Sequence, residues 1–221
     1  MVEVSCPSCS GIVEVNEDQV LVNCPYCRNQ FSVIQESQDF TISDGVLIEY
    51  NGEETEIEVP SGVTAIGEVV FHDKNTLTKI VLPEGVNELK GGFVRCNNLE
   101  TIILPDSLEN IPQMAFMSCI SLKNIVLPKN LKNLGDMAFY DCKNLSSIEI
   151  PPMVESVNCA DFMDCKSLET ISCYDNTKFE GEHFQGCDKL SSIIVLDSKT
   201  GEVVSTKRIE LDEYGLKLLN F

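Results

Sequence analysis

The sequence predicts a mainly β protein, in which short parallel strands form a solenoid preceded by a small cysteine-rich module. Three observations predict this fold class. A motif recurs every 22 or 23 residues over most of the 221-residue chain. Inside each motif, apolar and polar residues alternate over a few positions, which is typical of a strand with one buried side. Two Cys-x-x-Cys pairs precede the first repeat and lie within the first 27 residues.

The composition fits a folded protein with an acidic surface. Hydrophobic residues make up 43% of the chain, which is enough to bury a core. Lys and Arg total 16 against 35 Asp and Glu, which gives a formal net charge of -19. Such a surface repels phosphate backbones and anionic lipid, so we expect neither nucleic acid nor a membrane surface as a partner. The longest apolar runs are too short for a transmembrane helix.

The N-terminal cysteines predict a metal site. Cys6 and Cys9 form one Cys-x-x-Cys pair, and Cys24 and Cys27 form the second. Two intervening residues let both sulfurs of a pair reach one ion at about 2.3 Å, and four thiolates complete a closed tetrahedral zinc site. We therefore expect these four cysteines to bind one structural zinc ion as a cofactor.

Short apolar segments surround the two cysteine pairs. Residues 12–15 and 20–22 predict two strands that are joined by a polar turn, and Phe31 and Val33 predict a third. A hairpin of the first two strands would carry the cysteine pairs together. The module resembles a zinc ribbon, and we assign it to residues 1–36. Because its apolar core is very small, we expect the metal to supply much of its folding free energy.

The second cysteine pair has an alternative interpretation. Cys24-Pro25-Tyr26-Cys27 matches the redox motif of glutaredoxins, which requires a low-pKa thiolate at a helix N-terminus in a βαβ framework. The residues after Cys27 are instead typical of a strand. A thiol redox protein, or an enzyme accessory that uses the Cys-Pro-x-Cys pairs, is therefore the alternative to structural zinc.

Beyond the linker at residues 35–39, several residue columns keep their register from repeat to repeat. The phenylalanine column stands at 71, 93, 116, 139, 162 and 184. Three residues after each Phe comes a second column, formed by Lys74, Cys96, Cys119, Cys142, Cys165 and Cys187. A Leu and an Ile follow at further steps of three, and prolines close the units at 60, 83, 105, 128 and 151. This Leu-x-x-Ile-x-Leu-Pro core with a period near 23 predicts a leucine-rich-repeat solenoid.

The repeat unit Val/Leu-x-x-Ile-Gly-x-x-Ala-Phe-x-x-Cys-x-x-Leu-x-x-Ile-x-Leu-Pro resembles the BspA-type leucine-rich repeat, which is found widely in bacteria. The clearest units are residues 108–128 and 131–151. The resemblance covers about residues 40–196, and it weakens at Cys173-Tyr174, where the proline is missing. We assign the solenoid domain to residues 40–221. Its C-terminal cap is expected from about residue 197, as a hairpin followed by a short helix or tail over 209–221.

The alternation inside each unit assigns inward and outward residues. Ile80 and Leu82 are expected to point into the solenoid, whereas Lys79 and Val81 point outward. The cysteine column is expected to be buried and reduced, because a free Cys packs as a small hydrophobe. Equivalent positions in successive coils point their Cβ atoms in parallel, which is poor geometry for a disulfide.

The eleven cysteines also bear on localisation. An odd number of cysteines, a predicted thiolate site and an N-terminus without a secretory signal together indicate a reducing compartment. Proteins with BspA-type repeats are often found at the surface or secreted. We nevertheless expect a cytoplasmic protein.

The residue pattern contains no recognisable catalytic constellation. Phosphate-binding and nucleophile-elbow motifs are missing, and the two histidines, His72 and His183, are separated by several predicted coils. We therefore expect a non-catalytic protein-protein interaction or scaffold module that presents its strands to a protein partner. The sequence leaves the partner's identity and the oligomeric state open.

The outward strand positions of the middle coils are the predicted partner surface. Val81, Ile103 and Val126 hold equivalent places in successive coils, so they form an apolar stripe about 10 Å long at a strand spacing of about 4.8 Å. Glu58 and Glu149 bound the stripe. The full set is Lys79, Val81, Thr101, Ile103, Asn124, Val126 and Glu149. The alternative is that β-branched residues merely suit a strand.

Overall fold

The computed structural model describes residues 2–6, 8–15, 21–32, 39–157, 160–179, 184–208, 210–212 and 215–217. Every regular secondary-structure element in these residues is a β-strand. The chain divides into two compact units, Met1–Asp39 and Phe40–Phe221. Within the described ranges, no helical segment has the length and apolarity that crossing a bilayer requires.

The N-terminal unit consists of two antiparallel hairpins. Its strands are β1 (Val2–Ser5), β2 (Ile12–Val15), β3 (Leu21–Asn23) and β4 (Gln30–Ser32). Strand β1 pairs with β2, and β3 pairs with β4. Each Cys-x-x-Cys pair therefore lies in the turn of its own hairpin.

The predicted pairing of the two strands between the cysteine pairs is wrong, although strands form at Ile12–Val15 and Leu21–Asn23. The reason is that each cysteine pair is itself a chain reversal. The Ser10 amide donates to the Cys6 carbonyl at 2.8 Å, and the Arg28 amide donates to the Cys24 carbonyl at 2.9 Å. Each reversal pairs the strands on either side of it. Val33 of the predicted third strand lies outside the described residues.

The second unit is a solenoid. Its strands, in chain order, are β5 (Phe40–Ser43), β6 (Val46–Tyr50), β7 (Glu56–Glu58), β8 (Ala65–Ile66), β9 (Lys79–Val81), β10 (Glu88–Leu89), β11 (Thr101–Ile103), β12 (Asn110–Ile111), β13 (Asn133–Leu134), β14 (Ser147–Glu149), β15 (Ser156–Val157), β16 (Thr170–Tyr174), β17 (Lys178–Phe179), β18 (Ser192–Leu196), β19 (Val203–Arg208), β20 (Glu210–Asp212) and β21 (Gly215–Lys217). They build about seven coils, which confirms the predicted solenoid fold.

One set of strands, which we call the front strands, contains β7, β9, β11, β14, β16 and β18, together with the irregular segment 124–126. Strands β7, β9 and β11 form one parallel sheet, and β14, β16 and β18 belong to another. Pairing joins equivalent residues of successive coils, such as Ile57, Ile80 and Ile102. We call the outward side of this set the front face. A second set of short parallel pairs connects β6, β8 and β10, then β12 and β13, then β15 and β17.

The alternation of the front strands confirms the predicted inward and outward positions. Ile80 and Leu82 are buried, whereas Lys79 and Val81 are half-buried. The phenylalanine column fills the interior with one ring per coil. Successive ring centroids lie 5.3 to 6.3 Å apart, and the ring planes lie within 15° of parallel.

The cysteine column adds a second connection between coils. Each Sγ donates a hydrogen bond, 2.8 to 3.1 Å long, to the carbonyl oxygen of the phenylalanine in the preceding coil. The donors are Cys96, Cys119, Cys142, Cys165 and Cys187. Burial raises the pKa of the Cys96 and Cys187 thiols to about 12, so these thiols keep their protons. The described cysteines are all free, as predicted for a reduced column.

Lys74 takes the place of cysteine in the first coil of the column. Its Nζ donates to the carbonyl oxygen of Tyr50 at 2.6 Å, and it also lies 5.7 Å from the centroid of the Tyr50 ring. Tyr50 packs against Phe71 at a centroid distance of 6.0 Å with its ring tilted by 43°, so it covers the end of the phenylalanine stack. The lysine therefore supplies the same donor-to-carbonyl contact at the end of the column.

The turn after each phenylalanine has a left-handed backbone conformation. The residues two positions after each Phe have φ values between 56° and 77°; they are Asp73, Arg95, Ser118, Asp141, Asp164 and Gly186. The first five donate their amide N–H to a carbonyl of the next coil at 2.8 or 2.9 Å. These bonds offset the cost of a left-handed conformation in residues other than glycine.

The C-terminal end is closed by β19, which pairs antiparallel with β18. The turn between them is ordered by Asp197, whose carboxylate accepts hydrogen bonds from the amides of Thr200 and Lys199. This confirms the predicted hairpin after residue 197. Over 209–221 the sequence predicts a short helix or a tail, and the helical alternative is wrong in the described residues, because β20 and β21 form an antiparallel hairpin. Both strands place a leucine between polar or small residues, and this period of two favours a strand.

The hydrogen-bonded thiol column generates a stability prediction. We expect Cys119→Ala to lower the free energy of unfolding by about 1 kcal/mol, because it leaves a small cavity and removes the thiol hydrogen bond to the Phe93 carbonyl, which then keeps only its bond from the Cys96 amide. Cys119→Ser is the matched control, since its hydroxyl can still donate to that carbonyl. Urea denaturation measures both variants. An Ala variant as stable as the parent would contradict this role. So would disulfides between cysteines of the column in a mass spectrum of the non-reduced protein.

Candidate functional site

The four predicted metal ligands are brought together in the N-terminal unit. The sulfur atoms of Cys6, Cys9, Cys24 and Cys27 all lie within 4.8 Å of one another. The Cys6 and Cys27 sulfurs are 3.6 Å apart, as are those of Cys9 and Cys24. Four sulfurs placed 2.3 Å from a central ion define a tetrahedron with edges of about 3.8 Å. The cluster could therefore hold a metal ion.

The two cysteine pairs have matching backbone geometry. The Cys6 amide donates to the Gly11 carbonyl at 2.9 Å, and the Cys24 amide donates to the Asn29 carbonyl at 3.0 Å. The Gly11 amide also bonds to the Cys9 sulfur, and the Asn29 amide bonds to the Cys27 sulfur. Backbone N–H groups directed at sulfur stabilise thiolates, which are the form that binds metal.

The thiols of the cluster influence one another's ionisation. Although burial opposes it, the amides of Cys27 and Tyr26 and the neighbouring thiols lower the pKa of Cys24 to about 7. The Gly11 amide acts in the same direction on Cys9, but burial and the three other thiols raise the pKa of Cys9 to about 12. One thiolate is therefore readily formed, whereas four thiolates at this spacing require a cation.

The core beside these thiols is small. Val13, Val15 and Val22 are buried together with Cys6 and Cys24, and Val4 packs against them. Among the described residues of this unit, the five that are buried form a small apolar core, so a bound metal would contribute a large share of its stability.

The predicted partner residues lie on the front face. Thr101, Ile103, Asn124, Val126 and Glu149 are exposed. The exposed fraction is 49% for Ile103 and 83% for Val126, which are the two exposed members of the predicted stripe. The remaining predicted members, Val81 and Lys79, are half-buried, and Lys79 forms an ion pair with Glu56 at 3.4 Å. The front face therefore presents a shorter apolar stripe than the sequence predicts.

Backbone hydrogen bonds between successive front strands form a ladder, which we call the front ladder. This ladder is interrupted, or open, beside Val126. Elsewhere, the amide that follows each front strand donates to the next coil: Leu82 to the Ile103 carbonyl at 3.0 Å, and Ile150 to the Ser172 carbonyl at 2.8 Å. Within residues 39–157, which are all described, the equivalent amides of Leu104 and Leu127 make no such bond. Segment 124–126 keeps a single parallel bridge, between Asn124 and Ser147.

Two grooves flank Val126 at this opening. The first, which we call the Ile103 groove, is about 400 Å³ in volume and lies between residues 100–104 and 123–126. The second, the Tyr174 groove, is about 540 Å³ in volume. Its lining residues are Ile125, Val126, Leu127, Lys129, Glu149, Pro151, Pro152 and Tyr174.

Tyr174, Pro151 and Pro152 were not predicted as site residues. The Tyr174 hydroxyl donates to the Glu149 carboxylate at 3.3 Å, which connects it to a predicted residue. Burial, and then the Glu149 charge, raise the pKa of Tyr174. The sequence signal that could have indicated Tyr174 was the missing proline at Cys173-Tyr174. Without a proline to end it, the strand there has five residues, whereas β14 has three.

The structure brings together no catalytic pair of histidines in the part of the chain that it describes. His72 is half-buried in a turn, and His183 lies outside the described residues.

Comparison with known families decides the classification. The sequence profile of the BspA type leucine-rich repeat region matches residues 41–92 and 90–203, with six copies of the repeat. The chain belongs to the BspA-type leucine-rich repeat family. No curated protein matches its sequence at a significant level.

Solved structures with a similar fold include proteins that are described as leucine-rich. The T. pallidum leucine-rich repeat protein is 24% identical with a TM-score of 0.60, and the match covers 70% of this chain and 89% of that one. A leucine-rich cell surface protein from Faecalibacterium prausnitzii is 23% identical with a TM-score of 0.57, covering 82% of this chain and 59% of that one. The pneumococcal vaccine antigen PcpA is 26% identical with a TM-score of 0.53, covering 68% and 36%.

The sulfur cluster generates a prediction about metal binding. We expect the purified protein to contain one tightly bound metal ion per chain, and Cys24→Ser to lose it, because the serine hydroxyl is a poor ligand for a soft site. Acidification below about pH 6 should also release the ion, since protons compete for the thiolates. Elemental analysis by mass spectrometry measures the metal content.

Cys173→Ser is the control, because Cys173 is a buried cysteine of the solenoid. Limited proteolysis should show that Cys24→Ser makes residues 1–35 sensitive while the solenoid stays resistant. An N-terminal unit that stays resistant after strong chelation would contradict a metal-dependent fold.

Proposed function

We propose that this protein is a non-catalytic interaction module whose front face binds a protein partner. The family and the similar solved folds support a protein-interaction or surface repeat module. The observation that carries the proposal is the opening of the front ladder beside Val126, where two grooves flank Val126 and the exposed Ile103 lines one of them. Exposed apolar residues with a polar rim are typical of a contact site.

The N-terminal unit is proposed to bind one structural zinc ion through Cys6, Cys9, Cys24 and Cys27. Four thiolates in a tetrahedral arrangement suit zinc, which is the usual occupant of such closed sites. Zinc supplies folding free energy there rather than chemistry, because four sulfurs leave no open position for a substrate. Iron in the elemental analysis would contradict zinc as the occupant.

The alternative function, thiol redox chemistry, has one supporting observation, the low pKa of Cys24. Against it, the Cys24-Pro25-Tyr26-Cys27 segment forms the turn between β3 and β4 rather than the start of a helix. Reaction with an alkylating reagent distinguishes the two functions: metal-bound thiolates react slowly until the metal is removed, whereas redox-active thiols react at once.

We propose a cytoplasmic location. The column of thiol donors uses S–H protons, and the metal site uses thiolates, so both require reduced cysteines. The cell-surface assignment of the F. prausnitzii protein belongs to that protein. Fractionation of cells that express the full protein tests the location, and recovery from the medium or the cell surface would contradict it.

The proposed contact surface predicts the effect of one charge. We expect Ile103→Glu to reduce the partner recovered from lysate by at least about tenfold, because binding would bury an unpaired carboxylate. Stability should change little, since the side chain is half exposed and directed outward. Quantitative mass spectrometry of pulldowns measures the recovery.

Val203→Glu is the matched control, because Val203 is an exposed valine on the capping strand β19. A second comparison uses a chain without residues 1–36, which tests the contribution of the N-terminal unit. Partner recovery that is unchanged in Ile103→Glu would show that the front face is only a scaffold.

A further inference from the structure

The Tyr174 groove combines an apolar wall with one rim carboxylate. Val126, Pro151 and Pro152 supply the apolar wall. Glu149 lies at the rim, where the Tyr174 hydroxyl holds one of its oxygens at 3.3 Å. That hydrogen bond orients the carboxylate beside an aromatic ring, which is an arrangement suited to a cation.

The basic side chains near the groove are paired with other carboxylates. Lys129, which lines the groove, forms an ion pair with Asp106 at 3.2 Å and also donates its amide to that carboxylate. Lys123, which lines the neighbouring Ile103 groove, forms an ion pair with Glu100 at 2.7 Å. Glu149 is the carboxylate that lines the groove, and no lysine or arginine among the described residues forms an ion pair with it.

The same groove borders backbone groups that the front ladder leaves unused. The Leu127 amide makes no bond to the next coil in the described range 39–157, whereas the equivalent Ile150 amide does. A partner in an extended conformation offers carbonyl and amide groups to such an edge, while a helix has none to offer along its sides.

We propose that the Tyr174 groove binds an extended peptide segment of a partner protein through a lysine or arginine side chain, which lays its aliphatic stem on Val126 and Pro151 and directs its cationic group to Glu149 and Tyr174. This inference rests on the proposed function, because it names the chemistry of the segment that the front face recognises.

Charge and packing support a basic occupant over others. With a net charge of -19, the protein attracts cationic segments and repels acidic ones. Among the described lining residues, Glu149 is the carboxylate available to a basic side chain of the partner. Its position therefore determines the register in which the segment binds. An arginine side chain fits best, since its planar guanidinium can stack on Tyr174 while it bonds to the carboxylate.

Selection of peptides by the full-length chain tests this inference. A phage-displayed library of random peptides of about ten residues is selected against the protein, and the most enriched peptide is synthesised with a fluorescent label. We expect enriched peptides to carry Arg or Lys beside β-branched residues. Fluorescence anisotropy should show binding about five- to tenfold weaker with Glu149→Gln. Tyr174→Phe should weaken binding less, and added salt should weaken it in the parent protein.

Glu169→Gln is the matched control, because Glu169 is exposed on the next coil and does not line the groove. A library without enrichment, enriched peptides without a basic residue, or equal affinity for Glu149→Gln would each overturn the inference. The Ile103→Glu variant distinguishes a failure of the inference about Glu149 from a failure of the proposed function. If Ile103→Glu abolishes binding and Glu149→Gln does not, the front face binds peptide without this basic anchor; if neither has an effect, both proposals fail.

Discussion

The stacking of equivalent residues from one coil onto the next is the interaction on which this structure depends. A single coil cannot bury its own apolar side, so each phenylalanine ring is covered by the rings of the two neighbouring coils. The thiols reinforce this contact, because each cysteine donates to the carbonyl of the phenylalanine one coil back. The period of 22 or 23 residues follows from this requirement, since a coil of different length would break both columns.

The same requirement explains why function can lie on the front face. The interior columns fix the position of every coil, so outward residues are free to differ without loss of stability. Around segment 124–126, the interior stack continues between Phe93, Phe116 and Phe139, while the front ladder opens. A binding surface with unpaired backbone groups can therefore exist there, because the core rather than the ladder holds the coils together.

Residue columns were sufficient to predict the solenoid, its inward positions and the reduced cysteines, because each follows from a repeated local pattern. The hydrogen bonds of the thiol column and the substitution of Lys74 for cysteine were not predictable, since they depend on the distance between coils. The N-terminal cysteines were correctly brought together, but the hairpin pairing was wrong because each cysteine pair reverses the chain. Tyr174 was missed because its contact with Glu149 joins adjacent coils 25 residues apart in sequence.

The central claim is that the front ladder opens between β11 and β14 and so creates the binding face. Amide hydrogen exchange of the free protein, followed residue by residue by NMR, tests it most directly. The amides of Leu104 and Leu127 should exchange much faster than those of Leu82 and Ile150, which hold the same place in other coils and are hydrogen-bonded. Equal protection of all four amides would contradict the account, because it would show a continuous ladder in solution.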